Sequence, residues 1–241
     1  MKIIGHRGAR GLAPENTIEG LQKGLSYNIS EVEFDLRITK DDVVILHHNP
    51  TIFDTNGSEH KISDTTFKDL LEHKPDIITF TQALDTINRK VPMYVEIKPG
   101  VETEPITKII NEYLAKGWQN SDFYLASYSW KVLSEFERDL PEIGKIVNEK
   151  WSGVRASRRA RKLNTKRVSM LDTWLWFGYV SAVSRRGYEL YCFPSQSPKK
   201  ATFMAKFGLN SDVTNNPKKS AKWAKYGLAG VITDYPDRYQ K

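Results

Sequence analysis

His6-Arg7-Gly8 follows directly on a short apolar run, Lys2-Ile3-Ile4-Gly5, so an imidazole and a guanidinium sit where a strand ends. Three further apolar runs carry ionisable residues at or near their ends: Val32-Glu33-Phe34-Asp35-Leu36, Val43-Val44-Ile45-Leu46-His47-His48 and Met93-Tyr94-Val95-Glu96-Ile97-Lys98. Charged groups are expensive to keep in an apolar interior, so such groups at the mouths of several strands describe a site better than a scaffold. Glu33, Asp35 and Glu96 form a hard, all-oxygen donor set with no cysteine cluster beside it, which suits Mg²⁺ or Ca²⁺ better than Zn²⁺. Lys98, two residues beyond Glu96 on the same strand face, offsets part of their mutual repulsion. His6 and His48 form a candidate acid–base pair, because histidine titrates nearest neutrality. Two imidazoles flanking a phosphorus atom can deprotonate a nucleophile and protonate a leaving alkoxide, with Arg7 and Lys98 on the phosphoryl oxygens. His47 faces the other side of its strand. His60 and His73 fall in polar loop or helix-end contexts and are expected to be solvated.

The elements that must position these residues alternate. Strand-like runs fall at 2–5, 32–38, 43–48, 92–98, 122–127, 143–149, 167–171, 188–193 and 229–234. Helical patterns fall at Thr17–Tyr27, Thr65–Glu72, Phe80–Asn88, Glu104–Lys116, Trp130–Asp139 and Thr173–Arg186. Pro14-Glu15-Asn16-Thr17 reads as a loop ending in an N-cap at Asn16 or Thr17. Gly117, Gly187 and Gly227 follow helical runs where a left-handed cap is wanted. This alternation predicts a parallel sheet closed into a TIM-type (β/α)8 barrel, a single domain over 1–241. Nine runs for eight places conflict, and the short link Thr39-Lys40-Asp41-Asp42 resolves it. Parallel strands need a crossover of roughly a dozen residues, so the second and third runs must form an antiparallel hairpin turning near Lys40–Asp42. That hairpin sets Glu33 and Asp35, which share a strand face, opposite His47–Pro50. Pro198–Leu209 and Pro217–Leu228 are near-copies, each a helix beginning at proline and ending at glycine, and place an extra helix before the last strand.

Bulk properties exclude several classes. At 39% hydrophobic and 27% charged, the 241-residue chain is an ordinary globular one, not a disordered one. No apolar run approaches the roughly 18–20 residues of a membrane span, and no signal peptide fits the first residues. The single cysteine, Cys192, excludes an intramolecular disulfide and suits a reducing, cytoplasmic setting. A net charge of +7 points to an anionic partner. Much of the excess lies in the run 155–167, which reads as a solvated face. No aromatic residues interleave with it, so a nucleic-acid groove is not expected; transient contact with a membrane surface and the oligomeric state are left open.

The ordered set His6-Arg7-Gly8, Pro14-Glu15-Asn16-Thr17, Glu33-Phe34-Asp35, Thr39-Lys40-Asp41, His48-Asn49-Pro50-Thr51, Glu96-Ile97-Lys98 and Ile232-Thr233-Asp234-Tyr235-Pro236 resembles the glycerophosphodiester phosphodiesterase family over nearly the whole chain. The resemblance implies metal-dependent hydrolysis of a small or polymeric glycerophosphodiester to glycerol 3-phosphate and an alcohol. By similarity, Glu33, Asp35 and Glu96 hold the divalent metal, His6 and His48 are catalytic, Arg7 and Lys98 bind phosphate, and Glu15 supports the site. The family usually carries aspartate where this chain has Asn49, which can orient an imidazole but not stabilise its cation. The penultimate strand also departs, reading Tyr191-Cys192-Phe193-Pro194-Ser195. Two alternatives share this fold: a phospholipase D-like enzyme acting on lysophospholipid or sphingolipid head groups, with Trp174, Trp176, Phe177 and Tyr179 as an apolar lip, and a non-catalytic phosphodiester-binding protein.

Overall fold

The computed structural model describes residues 1–150, 153–175, 177–195 and 212–240. Eight parallel strands close into a barrel: β1 (Lys2–Gly5), β2 (Glu31–Ile38), β6 (Met93–Ile97), β7 (Phe123–Ser127), β8 (Gly144–Glu149), β9 (Arg167–Leu171), β10 (Glu189–Phe193) and β11 (Leu228–Thr233). Closure is made by β1, which pairs with β11 on one side and β2 on the other. The third run is β3 (Val44–Leu46), antiparallel to β2 with Leu36 opposite Leu46 and Ile38 opposite Val44. Its turn is the expected one: the Thr39 N–H donates to the Val43 carbonyl at 3.1 Å, and Asp42 takes the left-handed conformation.

The helices are α1 (Ile18–Leu25), α2 (Phe67–His73), α3 (Phe80–Ile87), α4 (Glu104–Ala115), α5 (Trp130–Asp139), α6 (Gly153–Lys162), α7 (Phe177–Arg185) and α8 (Pro217–Ala224). Side-chain caps start several of them: the Thr17, Thr66, Thr79 and Ser129 hydroxyls each accept a first-turn N–H. Gly117, Gly187 and Gly227 all have positive φ, as the sequence requires. Two apolar layers lie between barrel and helices, one around Phe34, Phe80 and Phe136 and one around Val168, Val180 and Trp223. Inside the barrel Ile4, Tyr94, Ala126, Ile146, Tyr191 and Ile232 fill the lumen.

Several expectations need correction. A two-stranded hairpin, β4 (Thr51–Phe53) with β5 (Glu59–Lys61), lies outside the barrel. Its signal was Asn56-Gly57, a turn dipeptide between runs too short to show alternation. The helix expected from Thr173 instead starts at Phe177, because Leu175 is extended after a single 3₁₀ turn at Asp172–Trp174. The basic run is a solvated face along its helix, where Arg155, Arg158, Arg161 and Lys162 are exposed, but not over its whole length. Residues Gly153–Lys162 form α6, seated by buried Ala156 and Ala160. Arg167 turns into the barrel floor, 3.0 Å from Glu31 and 3.6 Å above the Tyr124 ring. His60 and His73 are not freely solvated either: their rings stack at 3.8 Å and His60 reaches Asp54 at 3.1 Å. Of the two repeated helices, Pro217–Ala224 is α8, directly before the last strand; Pro198–Leu209 lies outside the described residues.

Candidate active site

The parallel register of β2 and β6 sets Asp35 beside Glu96 and Glu33 beside Tyr94. Period-two alternation therefore turns Glu33, Asp35 and Glu96 together into the C-terminal mouth of the barrel, where one carboxylate oxygen from each lies within 4.8 Å of the others. All three are nearly inaccessible to solvent. Lys98, just past the end of β6, reaches Asp35 at 2.6 Å and pairs closely with Glu96. Arg7 has φ +49°, which turns its backbone N–H onto Glu33 Oε2 at 2.9 Å. Its Nε lies 3.0 Å from Asp35 Oδ2 but points off line, a charge contact and not a hydrogen bond.

These contacts split the three acids. Burial pushes Asp35 up, but Lys98 and Arg7 outweigh it and hold the carboxyl well below the usual range. Burial raises Glu33 and Glu96, and for Glu33 the neighbouring Asp35 and Glu96 charges add to the rise. Burial likewise opposes the charge of Lys98, yet Glu96 and Asp35 raise its pKa above the ordinary value. Glu33 raised by burial and by its acidic neighbours, and Glu96 raised by burial, mark three carboxylates crowded more closely than Arg7 and Lys98 relieve. An all-oxygen donor set with unrelieved like-charge repulsion fits a hard divalent cation.

Both proposed imidazoles line the same cavity of about 830 Å³. His6, where β1 ends, donates from Nδ1 to Asp234 Oδ1 at 2.5 Å and presents Nε2 toward Glu33 at 3.9 Å. Burial lowers its pKa while Asp234 opposes the fall. His48 donates from Nδ1 to Asn49 Oδ1 at 2.8 Å, which fixes the tautomer with the lone pair on Nε2. Burial, with Lys98 and Arg7, pulls His48 down to about 4 against the attraction of Asp35. His47 points elsewhere, bonded to the Asn49 carbonyl at 2.9 Å.

Glu15 supports Arg7, accepting from its guanidinium at 2.8 and 2.9 Å, and also meets Arg10 at 3.1 Å. Other positioning residues escaped the sequence reading. Asn16 does not cap α1; Thr17 does, and Asn16 bonds Asp35 twice, donating from Nδ2 at 3.0 Å and accepting its N–H at 3.2 Å. Its φ of +58° makes that reach feasible. Asn148 on β8 donates to Glu96 at 3.1 Å, and Arg37 holds the His48 carbonyl at 2.7 Å. The sequence marked Asn16 and Asp234 only as members of motifs, and the side-chain partners of Asn16, Asn148 and Asp234 lie far along the chain.

The model of the glycerophosphoryl diester phosphodiesterase family matches residues 6–238. YhdW of Bacillus subtilis strain 168 is 24% identical over 230 residues, covering 89% of this chain and 94% of its own length. Glycerophosphodiester phosphodiesterase 1 of Bos taurus is 24% identical over 169 residues, 63% of this chain and 50% of that protein. Among solved structures, an Oleispira antarctica phosphodiesterase in complex with the product sn-glycerol-3-phosphate superposes with a TM-score of 0.80 at 21% identity, over 99% of this chain and 94% of that one. A glycerophosphodiester phosphodiesterase from Thermotoga maritima gives 0.72 at 17% identity, over 99% and 96%.

Proposed function

Since this chain belongs to the glycerophosphoryl diester phosphodiesterase family, we propose that it hydrolyses a glycerophosphodiester to glycerol 3-phosphate and an alcohol, with His6 and His48 as the acid–base pair. The observation that carries the reading is the convergence on one cavity of two tautomer-fixed imidazoles, three carboxylates, Arg7 and Lys98. His6 is bonded to the Asp234 carboxylate, so it is the better carrier of positive charge and the candidate acid. His48, beside a neutral amide and two cations, is held neutral and is the candidate base. In the overall reaction a water oxygen bonds to phosphorus as the phosphorus–alcohol bond breaks. The base takes the water proton and the acid returns one to the alcohol oxygen. Arg7 and Lys98 orient the phosphodiester and stabilise its oxygens. Glu33, Asp35 and Glu96 would hold a divalent cation, Mg²⁺ or Ca²⁺, which supplies Lewis-acid stabilisation when bound.

A product assay tests this on glycerophosphoglycerol, glycerophosphocholine and lysophosphatidylcholine. Glycerol 3-phosphate should appear from the first two, and His6→Ala and His48→Ala should each lower kcat at least about 100-fold with an unchanged circular dichroism spectrum. Turnover confined to lysophosphatidylcholine would favour the lysophospholipid alternative, and undiminished turnover in both variants would end the two-histidine scheme.

A further inference from the structure

The far wall of the cavity is basic, and the proposed chemistry does not use it. In the closed ring β8 lies four places from β1, so the end of β8 faces His6 and Arg7 across the mouth. Lys150, Arg155 and Arg159 line the cavity on that side. One acid answers them: Glu149 lies 3.4 Å from Arg155 and 4.0 Å from Arg159. Among the described residues of the wall, cations outnumber acids three to one. The wall is also anchored. Arg159 donates to the Tyr128 carbonyl at 3.2 Å, and the Lys150 ammonium sits 5.2 Å from the centre of the Tyr128 ring.

A substrate whose phosphodiester lies between Arg7, Lys98 and the two histidines has room to extend one substituent toward this wall, which lines the same cavity. Glycerol, ethanolamine or choline offers it no anionic group: the first is neutral and the others are cations. Resting on the phosphodiesterase reading above, we propose that the wall of Lys150, Arg155 and Arg159 is a subsite for an anionic group on the leaving alcohol. The preferred substrates are then glycerophosphodiesters whose alcohol carries a phosphate monoester. Arginine suits this role because its planar fork binds phosphate oxygens in pairs.

The test uses a matched pair, glycerophosphoglycerol with and without a terminal phosphate monoester, and reads the ratio of their kcat/KM values. The wild-type ratio should favour the phosphorylated substrate by about tenfold or more, the scale of one charge-assisted hydrogen bond, and should shrink as salt is added. Arg155→Gln removes a side chain that is 57% exposed, so the fold should survive, and the ratio should fall toward one. Glu149→Gln removes the opposing charge and should raise it. A wild-type ratio near one would overturn the subsite, as would an equal loss on both substrates in Arg155→Gln. Absence of turnover on both substrates would instead bring down the phosphodiesterase reading itself.

Discussion

Asn49 shows how much one atom decides at this site. Its amide accepts from His48 Nδ1 at 2.8 Å and so orients the ring as a carboxylate would, but adds no charge to stabilise an imidazolium. Lys98 and Arg7 further disfavour that cation, and His48 sits at about 4. The arrangement suits a base that is unprotonated at rest. Asn49→Asp reverses the electrostatics: a carboxylate beside the ring favours its protonated form and raises its pKa. His48 then holds its proton to higher pH, so the acidic limb of the kcat/KM profile should move in the alkaline direction by about one unit. Superimposable wild-type and variant profiles would show that Asn49 does not set the basicity of the catalytic group.

Between elements, the junction of β1, β2 and α1 does most of the positioning. Arg7 and Asn16 both take left-handed conformations, and each turns a polar group onto a carboxylate of β2. Gly8 makes the packing feasible, because α1 crosses it closely. At φ +88°, a Cβ on Gly8 would stand 2.2 Å from the Gly20 carbonyl oxygen. Gly8→Ala combines a left-handed backbone penalty with a steric clash, and should destabilise the protein by about 3 kcal/mol or more, lowering Tm by about 6 °C or more. Thermal unfolding followed by circular dichroism measures this, and a Tm within a degree of wild type would show that the junction tolerates a side chain.

At the scale of the whole molecule, the barrel gathers acids from two strands and histidines from the segments after β1 and β3 around one mouth, where Arg7 and Lys98 relieve only part of the repulsion among the acids. Mg²⁺ or Ca²⁺ should therefore raise Tm with concentration, by about 2.7 kcal/mol of added stability at a hundredfold excess over Kd. Glu33→Gln combined with Glu96→Gln should abolish the rise. Chelation should likewise remove turnover, and either ion should restore it; a flat Tm with full activity after exhaustive chelation would defeat the carboxylate reading. The sequence by itself determined the barrel and its one antiparallel hairpin, because strand periodicity and a link too short for a crossover are local facts. It also marked Glu33, Asp35, Glu96, His6 and His48, since ionisable residues in apolar runs stand out by their cost. Only the tertiary structure decided that Asp234 holds His6, that Asp35 and not α1 claims the Asn16 side chain, and that the basic run divides between α6, the cavity wall and the barrel floor. Those pairings join residues far apart in the chain, and their energies exist only once the barrel has closed.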